Sequence, residues 1–93
     1  MEDDKKILNK FIGAKIKKRR LELKKTQSWL AKKIGVTFQQ IQKYEKGSNG
    51  TNLFNLKQIA DALKVSVLYF FIEEKPLLLT KEMEITNDQS ASG

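Results

Sequence analysis

Residues 27–46, QSWLAKKIGVTFQQIQKYEK, constrain the fold more than any other stretch. Thr26 is an N-cap type of residue, and it precedes Gln27–Ile34. Trp29, Leu30 and Ile34 suit one buried face of that segment. Gly35 follows directly, where a helix ending in a left-handed residue wants glycine. Thr37 is a second N-cap candidate, opening Phe38–Lys46, and Ile41 with Tyr44 gives an apolar i, i+3 pair. Two short helices joined by a tight glycine turn must cross closely. Ala31 falls where a large side chain would force them apart, and Gly35 supplies the turn. With Ile41 and Tyr44 inward, Phe38, Gln39, Gln42 and Lys43 form one outward stripe rich in glutamine. Glutamine can bond both edge atoms that adenine offers in a DNA major groove.

The rest of the chain reads as helical too, because little of it alternates with period two. Leu8, Phe11 or Ile12, Ile16 and Leu23 mark one face of a first helix at 6–24. Gly47 closes the helix Phe38–Lys46, and Gly47 to Thr51 form the clearest loop. Asn52 or Thr51 caps a fourth helix with Leu53, Leu56, Ile59 or Ala60, and Leu63 inward. Ser66 caps a short fifth helix, Val67–Ile72, which is apolar almost all round. Leu68 and Phe71 are the expected inward residues; Val67, Tyr69, Phe70 and Ile72 are candidate dimer contacts, since contiguous apolar patches mark interfaces. The expected domain is 6–73, with the motif at 27–46, and Pro76 ends the compact part. Residues 74–93 form a C-terminal extension that holds Leu77, Leu78 and Leu79 and ends in a polar run that reads as disordered.

Charge narrows the partner. The chain of 93 residues carries a net +7, but residues 5–46 alone carry +12. An excess confined to one half points to a polyanion, either nucleic acid or an anionic membrane surface. The absence of Cys and His excludes thiol nucleophiles, His-based triads and the usual zinc sites. No apolar stretch approaches the ~20 residues of a membrane span, and MEDDKK is no secretory signal. A soluble cytoplasmic protein is expected, with dimerisation a plausible source of stability at this size.

The motif resembles the helix-turn-helix of the Cro/CI, or XRE, family of DNA-binding regulators. The resemblance runs over 8–72 through Ile12-Gly13, Gln27, Leu30-Ala31, Ile34-Gly35-Val36, Ile41 and Tyr44 to Gly47. It continues through Leu53, Ile59-Ala60, Leu63 and Val65-Ser66. The wording VTFQQIQKYEKGSN also resembles small alphaproteobacterial regulators. The implied fold is all-α, a five-helix lambda-repressor-like DNA-binding domain with a flexible tail. The resemblance implies base contacts from Thr37, Phe38, Gln39, Gln42 and Lys43, with the helix 38–46 in the major groove. For Phe38 a thymine methyl contact and inward packing both stand. It implies phosphate contacts from Gln27, Lys46, Ser48, Asn49 and Thr51, and a structural pair of Arg20 with Glu45. The expected function is that of a sequence-specific regulator of transcription on double-stranded DNA, a dimeric repressor reading a near-palindromic operator, cytoplasmic and nucleoid-associated when bound.

Catalysis has no support in the sequence. The paired carboxylates, Glu73-Glu74 and Glu82 with Glu84, lie beside or within the tail, and Gly47-Ser48-Asn49-Gly50 lacks the spacing and lysine of a P-loop. No cofactor, metal, small-molecule ligand or membrane partner is expected. The competing reading is a protein-interaction module, such as an antitoxin or a restriction–modification controller-like protein, favoured by the apolar fifth helix and Leu77–Leu79. Membrane-surface association through the first helix is weaker, because its basic residues surround the helix rather than opposing a broad apolar face.

Overall fold

The computed structural model describes residues 2–73, which fold into four α-helices and one 3-10 segment, with no strand among them. The helices are α1 (Glu2–Glu22), α2 (Gln27–Ile34), α3 (Phe38–Lys46) and α4 (Leu53–Ala62); the 3-10 segment is Val67–Phe71. The extension from residue 74 onward, with its three leucines, lies outside the described residues.

Side-chain caps set the helix starts. Thr26 Oγ1 accepts from the Trp29 N–H at 3.0 Å, and Thr37 Oγ1 from the Gln40 N–H at 3.1 Å. Of the two candidates before α4, Asn52 is the cap, accepting from the Asn55 N–H at 2.7 Å. Ser66 Oγ accepts from the Leu68 N–H at 3.1 Å. Each such bond satisfies a helix-start donor and is worth about 1 kcal/mol. Gly35 ends α2 at φ 73°, and the next N–H, of Val36, returns to the Ala31 carbonyl at 3.0 Å. A residue with a Cβ would be strained there.

The core draws on every element: Ile16 from α1, Leu30, Ala31 and Ile34 from α2, Ile41 and Tyr44 from α3, and Leu56, Ile59 and Ala60 from α4. Leu63 and Phe70 complete it. Leu8, expected on the buried face of α1, is 46% exposed, and Leu53, expected inward on α4, is 76% exposed because it opens the first turn of that helix. At 1.5 Å per residue α1 is about 31 Å long and α2 and α3 about 12–14 Å, so its first turns overhang the bundle.

The fifth element differs from its expectation in type and phase. It is a 3-10 helix, in which residues three apart eclipse and share a face. Val67 and Phe70 face the core, and Leu68 and Phe71 face out at 64% and 46% exposure. The expected inward pair was Leu68 and Phe71, one residue out of phase. Phe70 is fully buried, so it is removed from the candidate dimer contacts. Val67 and Tyr69 are half-buried against the core, while Ile72 is exposed. A run that is apolar throughout has no polar residue to mark its outer face, so its phase is set by packing.

Candidate nucleic-acid interface

One buried ion pair fixes α3 against α1. Arg20 sits near the end of α1 and Glu45 near the end of α3, with side chains only 7% and 2% exposed. Arg20 Nε donates to Glu45 Oε2 at 2.7 Å and Nη2 to Oε1 at 3.0 Å. This fork-on-carboxylate geometry fixes direction as well as distance. Arg20 Nη1 donates to the Lys25 carbonyl at 2.7 Å, tying in the turn before α2. Gln27, the first residue of α2, donates its side-chain amide to Glu45 Oε1 at 2.9 Å. One carboxylate therefore joins α1, α2 and α3.

Two further contacts hold the same helix. Gly13, in mid-α1, passes close to the end of α3. A Cβ there would collide with the Tyr44 carbonyl oxygen and lie 2.7 Å from that of Glu45. The helices cross at a spacing only glycine permits. On the other side, Asn55 Nδ2 donates to the Tyr44 hydroxyl at 3.1 Å, coupling α3 to α4.

With its inner face so held, α3 turns a defined stripe outward. Thr37, Phe38, Gln39 and Lys43 are exposed and Gln42 is half-exposed. Phe38 is 41% exposed, so inward packing does not hold it. Beside Glu45 stands the start of α2 with Gln27, where backbone N–H groups have no partner within the helix. After α3 the loop folds back: Gly47 takes φ 77°, and the Ser48 N–H donates to the Lys43 carbonyl at 3.0 Å. Lys46, Ser48 and Asn49 are exposed in or beside that loop, and Thr51 is half-exposed.

The segment that carries α2, α3 and the loop after them exposes charge of one sign. Between Glu22 and Asp61 the only acidic residue is Glu45, and it is buried on Arg20. Lys32, Lys43 and Lys46 are exposed, and Lys33, also exposed, lines a separate cleft with Asp61. Neither α2 nor α3 has an acidic residue in its first turn, so the positive ends of both helix dipoles stay unneutralised.

Three features of this framework were not read from the sequence. The Gln27–Glu45 bond joins residues 18 apart with no periodic relation. The Tyr44–Asn55 bond crosses a loop. For Gly13 there was a signal, because a glycine inside a helix costs about 1 kcal/mol and marks a close backbone approach.

Such a framework, two short helices crossed at a left-handed glycine with a glutamine-rich outer stripe, is that of a helix-turn-helix domain. The chain belongs to the helix-turn-helix family of the XRE, or Cro/CI, type, whose profile matches residues 16–70. The family comprises DNA-binding regulators of transcription. A Sinorhizobium fredii protein named as an HTH-type transcriptional regulator, y4aM, is 50% identical over 66 residues, covering 71% of this chain and 46% of that protein. A Rhodospirillum rubrum protein named as a transcriptional regulator in the ATPase CF(0) region is 48% identical over 60 residues, covering 64% of this chain and 56% of that one. The phage CTXphi transcriptional repressor RstR of Vibrio cholerae is 40% identical over 56 residues, covering 60% of this chain and 50% of the repressor. The chain thus spans about half the length of the curated relatives it matches. Among the described residues, no helix is long and apolar enough to cross a membrane.

Proposed function

We propose that this protein is a dimeric, sequence-specific regulator of transcription, acting in the cytoplasm as a repressor on a near-palindromic operator. The observation that carries the reading is the outward stripe of α3, held by the Arg20–Glu45–Gln27 cluster in a segment, 23–60, whose one carboxylate is buried. Gln39 bonds adenine N6 and N7, Lys43 takes guanine O6 or N7, and Thr37, Phe38 and Gln42 flank them. Phe38 rests on a thymine methyl. Phosphates on one side meet the backbone N–H groups at Gln27, whose side chain is already given to Glu45. Phosphates on the other side meet Lys46, Ser48, Asn49 and Thr51. The working unit is the domain 6–73, with 74–93 as an extension. Leu68 and Ile72, exposed at 64% and 52%, form the centre of the dimer contact, with Val67 and Tyr69 at its edge. The relative named as a transcriptional repressor supports the sign of the effect.

The test is selection of binding sites from a random duplex pool with the full-length protein. The expected product is a near-palindrome with half-sites one helical turn, roughly 34 Å, apart. Enrichment of a single asymmetric half-site would refute the dimer. Retention with no consensus would refute sequence reading altogether.

A further inference from the structure

Away from the outward stripe of α3, the start of α1, the first turn of α4 and the 3-10 segment line two adjoining apolar clefts, the first of which also touches Tyr44. One, of about 280 Å3, is lined by Leu8, Ile12, Leu53, Leu56 and Phe71. The other, of about 350 Å3, is lined by Ile7, Leu8, Phe11 and Phe71, with Asp4 and Glu73 beside them. Leu8 and Phe71 are common to both, so the clefts form one continuous groove. Ile7, Leu8 and Phe71 are 66%, 46% and 46% exposed. Leu68 and Ile72, the proposed dimer residues, line neither cleft.

We propose that Leu77, Leu78 and Leu79 of the same chain occupy this groove. Three considerations select that occupant. The first is reach. Glu73 itself lines the groove, and Leu77 is four residues further on. An extended chain covers about 3.3–3.6 Å per residue, so Leu77 lies within ~14 Å of Glu73 and Leu79 within ~21 Å. The groove starts at the tether, and a short tether presents its segment at an effective concentration on the order of millimolar.

The second is chemistry. Three consecutive leucines left in water are costly, and a groove lined by leucine, isoleucine and phenylalanine is where they are removed from it. The third concerns the rival occupant, a second copy. A two-fold contact places the same patch on both partners. Centred here, it would bring Asp4 and Glu73 of one copy toward their equivalents, like charge against like.

The consequence reaches the candidate interface. Asn49 and Thr51, proposed to grip phosphate, line the first cleft on its other side. A filled cleft therefore packs the underside of that loop.

The chain contains no cysteine, so a thiol pair can be introduced cleanly. In the full-length protein, Ile7→Cys is combined with Leu78→Cys; the control combines Lys33→Cys, an exposed site on α2, with Leu78→Cys. Both are oxidised at micromolar concentration without DNA, and the products are resolved by mass. We expect an intrachain disulfide in the Ile7 pair at least ~10-fold faster than in the control, as docking raises the local concentration. Equal rates would overturn the proposal. A product predominantly between chains would also overturn it and assign the groove to a second copy. A cysteine-free check reads the methyl resonances of Ile7 and Leu8: Leu78→Asp should shift them, and unchanged resonances would overturn the docking.

Discussion

Glu45→Gln is the sharpest perturbation of the framework. The Glu45 carboxylate accepts from Arg20 Nε, Arg20 Nη2 and Gln27 Nε2 at 2.7, 3.0 and 2.9 Å. An amide of the same shape keeps one oxygen and turns two N–H donors toward the guanidinium. Arg20, whose side chain is 7% exposed, keeps its charge with nothing to balance it. Removing one partner of a buried pair costs about 3–5 kcal/mol, against a total of roughly 4–11 kcal/mol for a domain of this size. Each kcal/mol shifts Tm by about 4–8 °C in a domain of 60–100 residues, so a fall of at least ~12 °C is expected. Urea unfolding followed by far-UV circular dichroism gives the free energy. Asp61→Asn is the internal control: its pair with Lys57 has side chains 62% and 63% exposed, and an exposed i, i+4 pair is worth only about 0.3–0.5 kcal/mol. A loss below ~1 kcal/mol for Glu45→Gln would place the buried pair among surface pairs and refute the reasoning. The combined Arg20→Met, Glu45→Leu variant should regain part of the loss, because an apolar pair carries no uncompensated charge.

Gly13→Ala should cost 1–3 kcal/mol or more, since the obstructing atoms are the Tyr44 and Glu45 backbone oxygens, which cannot swing away; an unchanged melting curve would deny the close crossing. Ala31→Trp should unfold or distort the motif, because Ala31 is 5% exposed between α2 and its neighbours, as circular dichroism would report. Lys46→Ala should weaken binding to all duplexes alike in filter-binding assays, whereas loss confined to one sequence would make Lys46 a base reader. If a dimer neutralises about 6–10 phosphates, affinity should fall ~10³–10⁵-fold between 50 and 200 mM salt, and a flat titration would remove the electrostatic basis of binding.

What could be read from the sequence follows the range of the interactions. Thr26, Thr37 and Ser66 were readable as caps because a capping bond spans two or three residues. Asn52 and Thr51 stayed alternatives because both side chains can cap and they are adjacent. Gly35 and Gly47 were readable because left-handed helix ends favour glycine so strongly. The Arg20–Glu45 pair joins residues 25 apart, beyond any periodic pattern, and entered only through the family resemblance. The phase of Val67–Ile72 was misread because Phe70 reaches the core through a 3-10 turn, while an unbroken apolar run fits either register. Leu8 was misplaced because periodicity gives a helix its apolar face but not how far that face overhangs its neighbours.

The central claim is that the stripe on α3 reads bases while the buried cluster behind it sets its direction. Its most direct test runs site selection side by side with the wild type and Gln39→Ala, a change at an exposed position that leaves the framework intact. Both proteins should select the same near-palindrome, with preference relaxed at one position per half-site for Gln39→Ala and a cost of about 1–3 kcal/mol there. An identical consensus at every position from the two proteins would contradict it.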